Sequence, residues 1–312
     1  MLGQFIYRLL IFASLAVTII SCEEPVELDI DIPEAKLVLS SNFFPDELVK
    51  VRVSSTINVL SKDIDFPDVN NARVTLFSAA NTILEELVYV PGDDSKPGYY
   101  STVDFKPSIG TNYEIHVSAP NYPLARAMSS IPPPVSIDDL DVSNVQVDQD
   151  GEYDIYKFGI DLSYDDPAEE GNYYNLRILQ RLNTFFVHPN GDTSRTGYVV
   201  IPVIFPAAPS GEWIVAAQYG GILIKDRPFA ESLHLELESP IFRDTQLLGN
   251  LTAELRTVSQ EYYDFQSSLS EQIITPEGDL APPIIIRSNV QNGAGVFAGY
   301  ASSSYNFVLI DP

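Results

Sequence analysis

One thiol, three imidazoles and 43 carboxylates could carry chemistry in this chain of 312 residues, and their spacing decides which do. Cys22 is the only cysteine, and it follows an apolar run with Ile19 three residues before it and the small Ser21 directly before it. A secreted chain with one unpaired thiol is unusual, whereas a thiol at the end of an apolar leader suits acylation. His116, His188 and His234 are far apart; two sit in strand patterns and one lies beside Pro189. Zinc needs clustered ligands, so no metal site is expected from them. Asp148-Gln149-Asp150-Gly151-Glu152 is superficially like a calcium loop. It lacks the third oxygen ligand before the glycine and the closing glutamate, and it reads as a turn. There is no Gly-x-Ser-x-Gly elbow and no phosphate loop with its lysine. A glycosidase pair is recognised by a separation of ~5–9 Å in space, which the sequence alone does not supply. No catalytic, cofactor-binding or metal residue is therefore expected, and Cys22 stands as the one modification site.

The leader positions that thiol. Arg8 precedes an apolar run of 12 residues from Leu9 to Ile20, broken only by Ser14 and Thr18. A bilayer core takes ~20 such residues, so residues 1–21 read as a secretion signal to be left out of fold reasoning. Ile19-Ile20-Ser21-Cys22 resembles the lipobox of bacterial lipoproteins, in which the cysteine becomes the lipid-bearing N-terminus. Stable anchoring needs about two acyl chains, each buried CH2 contributing ~0.8 kcal/mol, and a multiply acylated Cys22 meets that without a membrane-spanning helix. Residues 22–35 then form an acidic, proline-flanked tether reaching at most ~40 Å. Its opening Glu23-Glu24-Pro25 resembles the acidic tag that directs lipoproteins of Bacteroidota to the outer face of the outer membrane. The expected location is the outer membrane, lipid-anchored and facing the exterior.

Removal of residues 1–21 leaves 291 residues with 17 Lys+Arg against 43 Asp+Glu. That field excludes nucleic acid and a basic membrane-docking patch as partners, favours solubility and discourages self-association. No cysteine remains for a disulfide, so hydrophobic cores must hold the fold. Seventeen Tyr, 16 Phe and 23 Pro with few helical patterns point to β-structure and turns.

The fold class expected is mainly β: an N-terminal immunoglobulin-like β-sandwich, then a larger β-rich domain with one helix near the C-terminus. Over residues 36–131, seven short strands recur. Leu48 to Ser54 puts Val49, Val51 and Val53 on one face. Gly98-Tyr99-Tyr100 and Gly110-Thr111-Asn112-Tyr113 resemble the tyrosine corner of immunoglobulin-like sandwiches. Pro132-Pro133-Pro134 makes a stiff connector, and residues 36–131 and 135–312 are expected as separate folding units. In the second, Tyr153 to Tyr164 is expected to pair with Asn172 to Val187, and Asn190-Gly191 reads as a tight hairpin turn into a strand at Tyr198-Val199-Val200-Ile201. A helix at about 258–273 is expected behind a capping box at Thr257-Val258-Ser259-Gln260, with Tyr262, Phe265, Leu269 and Ile273 on its apolar face. Pro283 to Val290 reads as a strand, and Asn292-Gly293-Ala294-Gly295 reads either as a hairpin turn with close backbone packing or as a small-residue loop that a partner's backbone approaches. Trp213, Tyr219, Tyr173 and Tyr174 could stack on sugars, although cores and sheets consume such residues first.

The acidic lipobox start, the Gly-x-x-Tyr corner, the Ser259-Gln260-Glu261-Tyr262-Tyr263 helix and the ending Asn289-Val290-Gln291-Asn292-Gly293-Ala294-Gly295-Val296-Phe297-Ala298-Gly299-Tyr300 together resemble the lipoproteins of Bacteroidota grouped as domain of unknown function 4249. The resemblance implies an accessory protein encoded beside TonB-dependent outer-membrane receptors and brings no catalytic residue. The expectation is a non-enzymatic partner that docks with such a receptor, its ligand or both. The alternative is a surface hydrolase of glycans or peptides, which needs a cleft with paired, perturbed carboxylates.

Overall fold

The structure, a computed structural model, describes residues 34–57, 67–167, 171–206, 213–218, 220–225, 232–274 and 284–309. Cys22, the leader, most of the tether and Tyr219 lie outside them. Residues 35–312 form one compact unit, mainly β, with sixteen strands and one helix among the described residues.

The N-terminal part holds seven strands: β1 (Leu37–Phe43), β2 (Lys50–Ser55), β3 (Arg73–Ser78), β4 (Ile83–Val90), β5 (Tyr99–Ser101), β6 (Asn112–Ser118) and β7 (Ala125–Ser130). They are hydrogen-bonded in the order β1-β2-β5-β4-β3-β6-β7. Alternation works as period-2 geometry requires: Val49, Val51 and Val53 are buried beside Leu37, Leu39, Leu76 and Ile115. Two tyrosines pin the corners. The Tyr113 hydroxyl accepts the Ser108 N–H at 2.8 Å. The Tyr100 hydroxyl accepts the Ala72 N–H and donates to the Val69 carbonyl, both at 2.8 Å. Backbone donors near the turns thus find buried partners, the device seen at immunoglobulin-type corners.

The second part carries β8 (Ile137–Asp150), β9 (Tyr153–Tyr164), β10 (Tyr173–Val187), β11 (Thr193–Pro202), β12 (Ile214–Val215), β13 (Ile222–Lys225), β14 (Leu233–Phe242), β15 (Gln246–Val258), helix α1 (Gln260–Ile274) and β16 (Gly293–Phe307). One layer is β14-β9-β8; the other runs β12-β13-β10-β15-β16, with β11 beside β10. Phe158, Ile160 and Leu162 meet Leu176, Ile178, Leu251 and Leu255 between them. The expected pairing of Tyr153–Tyr164 with the strand after it is therefore corrected: β9 and β10 face each other across the core. The Tyr164 and Tyr174 rings lie 5.0 Å apart across that interface. The true partners of β9 are β14 and β8, and β8 hides in sequence because its distal residues are mostly exposed on both faces and show no apolar alternation.

The prolines separate the cores but not the sheets. Ile131 belongs to the first core and Val135 to the second. β16 serves both: residues 293–299 run parallel to β1 and residues 300–307 antiparallel to β15. Residues 36–131 alone therefore lack a strand of their own sheet, which tells against the expected division into two separate folding units. Asn292, with φ 56°, leads into this strand rather than into a hairpin. Gly295, at φ 100°, passes so close to the Leu39 carbonyl that a side chain there would collide with it.

Helix α1 differs from its expected form in two respects. Its cap is Ser259, whose hydroxyl receives the Tyr262 N–H at 3.4 Å; Thr257 instead receives the Val135 N–H at 2.9 Å. Its buried face is Tyr262, Gln266, Ser267, Ser268 and Ser270, while Ile273 is exposed. This polar face works because the sheet below offers partners: Tyr262 reaches Asn175 and Ser270 receives the Ala217 N–H. Residues 284–290 form no strand; the Arg287 N–H docks on Ser268 at 2.9 Å.

Candidate functional site

The distal half of β10 and all of β11 form an arm. Asn190-Gly191 closes it, with Gly191 at φ 86° and the His188 N–H bonded to the Asp192 carbonyl at 2.8 Å. Every residue of β11 is exposed, because β11 pairs with β10 alone. Directly paired residues share a face, which puts Arg181 and Val200, Asn183 and Tyr198, and Asn183 and Leu247 on one side. Tyr198 is 58% exposed, Val200 53% and Leu247 59%. The Arg181 guanidinium lies over the Tyr198 ring, 4.0 Å from its centroid. Val199 and Ile201 sit on the opposite side, also exposed. Beyond Pro202 the chain crosses to the edge of β14 through an Ile204–Glu238 bridge. There Ile204, Phe205, Pro206, Leu237 and Pro240, with the charged Lys157, Glu236 and Glu238, line a cavity of about 560 Å³, and Ile204 is 79% exposed.

The arm is also where the acidity stops. Between Leu179 and Pro202 the charged residues are Arg181, Arg195 and Asp192, in a chain of net charge −25. Few charges, an aromatic residue, an arginine and exposed β-branched side chains are the composition of an interface core. The sequence showed Tyr198-Val199-Val200-Ile201 as a strand; the exposure of both its faces goes with its place at an edge, paired with β10 alone, which local pattern does not encode.

His234 lies between two carboxylates. On the outer face of the three-stranded layer, His234 Nδ1 lies 2.9 Å from Asp161 and Nε2 lies 3.1 Å from Glu236. Hydrogen bonds to Asp161 and then Glu236 raise the imidazole pKa above its ordinary 6.5. A carboxylate on each nitrogen favours the imidazolium form of the ring. Lys157 beside it contacts Asp148 at 2.9 Å and Glu238 at 3.7 Å.

The other singled-out residues are scattered. His116 bonds Glu114 at 2.7 Å and stacks on Phe77, and His188 bonds Ser194 at 3.0 Å on the arm. Asp150 pairs with Tyr153 across a turn in which Gly151 has φ 56°. Among the described residues no group of three or more His, Cys, Asp or Glu side chains could hold a metal ion. Tyr174 is buried in the second core, Tyr173 packs on Tyr263, and the Trp213 indole N–H donates to the Pro206 carbonyl at 3.3 Å. A second cavity, of about 740 Å³, lies among Arg52, Asp68, Asp93, Asp94 and Lys96. Its rim is fixed by Asp93, whose carboxyl pKa is lowered by its hydrogen bonds to Ser95.

Among solved structures, the chain is similar to the crystal structure of Dpr2 Ig1-Ig2 in complex with DIP-Theta Ig1-Ig3. The match has 13% identity and a TM-score of 0.22, covering 71% of this chain and 92% of that one. No curated protein matches at a significant level. The family described as Domain of unknown function (DUF4249) matches residues 23–306, nearly the whole chain, and the chain belongs to it.

Proposed function

We propose that this protein is a lipid-anchored, surface-exposed outer-membrane accessory protein of Bacteroidota that docks with a TonB-dependent receptor or its ligand and is not an enzyme. The observation that carries the reading is the β10–β11 arm, a charge-poor apolar surface on a strongly acidic chain. Exposed apolar patches of this kind mark interaction sites. A stable interface needs ~800 Å² from each partner around aromatic anchors; Tyr198, Val200 and Leu247 supply exposed apolar side chains on one face of the arm. Cys22 supplies the anchor, and the tether to residue 35 supplies reach.

The test is affinity purification of the lipidated protein from detergent-solubilised native membranes, with partners identified by mass. A TonB-dependent receptor is expected to co-purify with the native protein, and at least tenfold less of it with the double variant Tyr198→Ala, Leu247→Ala. Recovery of the protein alone, together with hydrolysis of a glycan or peptide library by the soluble body, replaces this reading with that of a surface hydrolase.

A further inference from the structure

An open strand edge is a template for another strand, and proteins that must avoid this blunt their edges with charges, prolines or bulges. β11 is blunted only at its ends. At one end the register to β10 shifts between Thr184 and Phe185, beside Arg195 and Gly197; at the other stands Pro202. Between them Tyr198, Val199, Val200 and Ile201 pair regularly with Asn183, Leu182, Arg181 and Gln180. Among the described residues nothing pairs with the opposite edge of β11.

Both faces at this edge are apolar and exposed: Tyr198 and Val200 on one, Val199 and Ile201 on the other. A strand laid along it would gain main-chain hydrogen bonds and apolar contact on both sides, the pairing logic of strand addition. Charge decides which strand. A second copy carries the same net charge of −25 and is repelled. The strand's one charged residue is Arg195, and across the pair Arg181 lies over Tyr198. A carboxylate opposite Arg195 would make a charge-assisted pair.

We propose that the outer edge of β11 receives, by β-strand addition, an extended segment of another protein, apolar along Tyr198 to Ile201 with a carboxylate where it meets Arg195. This deepens the docking reading above and rests on it.

The probe is a displayed library of random dodecapeptides selected against the mature full chain in detergent. Enriched peptides are expected to alternate β-branched or aromatic residues, to carry an acidic residue at one end, and to protect amides within residues 198–201 from hydrogen exchange. Neighbouring strand residues direct their amides to opposite edges, so one of Val199→Pro and Val200→Pro removes an outward donor. That variant, if its thermal unfolding is unchanged, is expected to lose at least tenfold in affinity. Arg195→Glu, on an exposed site, is expected to reverse the preference for acidic peptides. Failure to enrich such peptides, protection elsewhere, or protection of the same amides by phosphatidylcholine vesicles alone overturns the proposal. If the edge-blocked variants still co-purify with the receptor while Tyr198→Ala, Leu247→Ala does not, strand addition is wrong and docking stands. If even the native protein brings down no receptor, the docking reading itself fails.

Discussion

The ring of Phe43 in β1 stacks on that of Phe297 in β16 with centroids 4.5 Å apart, so the first strand of the fold is packed by the last. Phe297 is fully buried in the N-terminal core. Phe297→Ala is expected to destabilise the protein by about 3–5 kcal/mol, the range for emptying a buried phenylalanine site, measured by denaturant unfolding. Residues 36–131 expressed alone lack this ring and the pairing along β1. Their amides should exchange rapidly in the excised piece, and a well-protected, cooperatively melting fragment would contradict the shared-strand description.

A polar seam joins the helix to both parts. Ser129 of β7 lies 3.0 Å from the Ser259 hydroxyl and 2.9 Å from the Glu261 carboxylate, within the first turn of α1. Ser259→Ala removes a cap and should cost about 1 kcal/mol. Thr257→Ala strands the buried Val135 N–H and should cost about 1–3 kcal/mol. Equal stability of both variants with the native protein would remove the seam from the account.

His234 gives a pH dependence of known sign. Its folded pKa is raised above 6.5 by Asp161 and Glu236. Its contribution is therefore fully present below the ordinary histidine range and is lost as pH rises through the raised value. An NMR titration should show the His234 ring titrating above 6.5 in the native protein and lower in Asp161→Asn. The native-minus-His234→Gln difference in unfolding midpoint should shrink with rising pH. A titration unmoved by Asp161→Asn would break the assignment.

The leader makes a separate claim. Cys22→Ser is expected to move the protein from the membrane to the soluble fraction, with the acyl mass absent from the N-terminal peptide. A native protein that is membrane-bound yet unmodified at Cys22 would sink the anchor.

How much of this was legible beforehand depended on whether each signal was local. The Tyr113 corner, the Val49, Val51, Val53 alternation and the Asn190-Gly191 turn lie within short windows, and each appears as its chemistry dictates. What escaped was non-local. β8 carries no apolar period because much of it faces solvent on both sides, and β9 chose it over the nearer-looking β10. The polar face of α1 reads as a solvent face until Asn175 and the backbone at Ala217 are brought under it. The arm was seen as a strand but not as a surface, since nothing in Thr193 to Pro202 says that this strand pairs with β10 alone.

The central claim is that the β10–β11 arm docks on a receptor at the outer membrane. Its most direct measurement is photo-crosslinking in native membranes from a reactive residue placed at Tyr198 or Val200, with Val147 on the other layer as the control site. One outer-membrane receptor, crosslinked from Tyr198 and Val200 and not from Val147, is the predicted result. Equal labelling from all three sites, or no crosslinked partner from the arm, would contradict it.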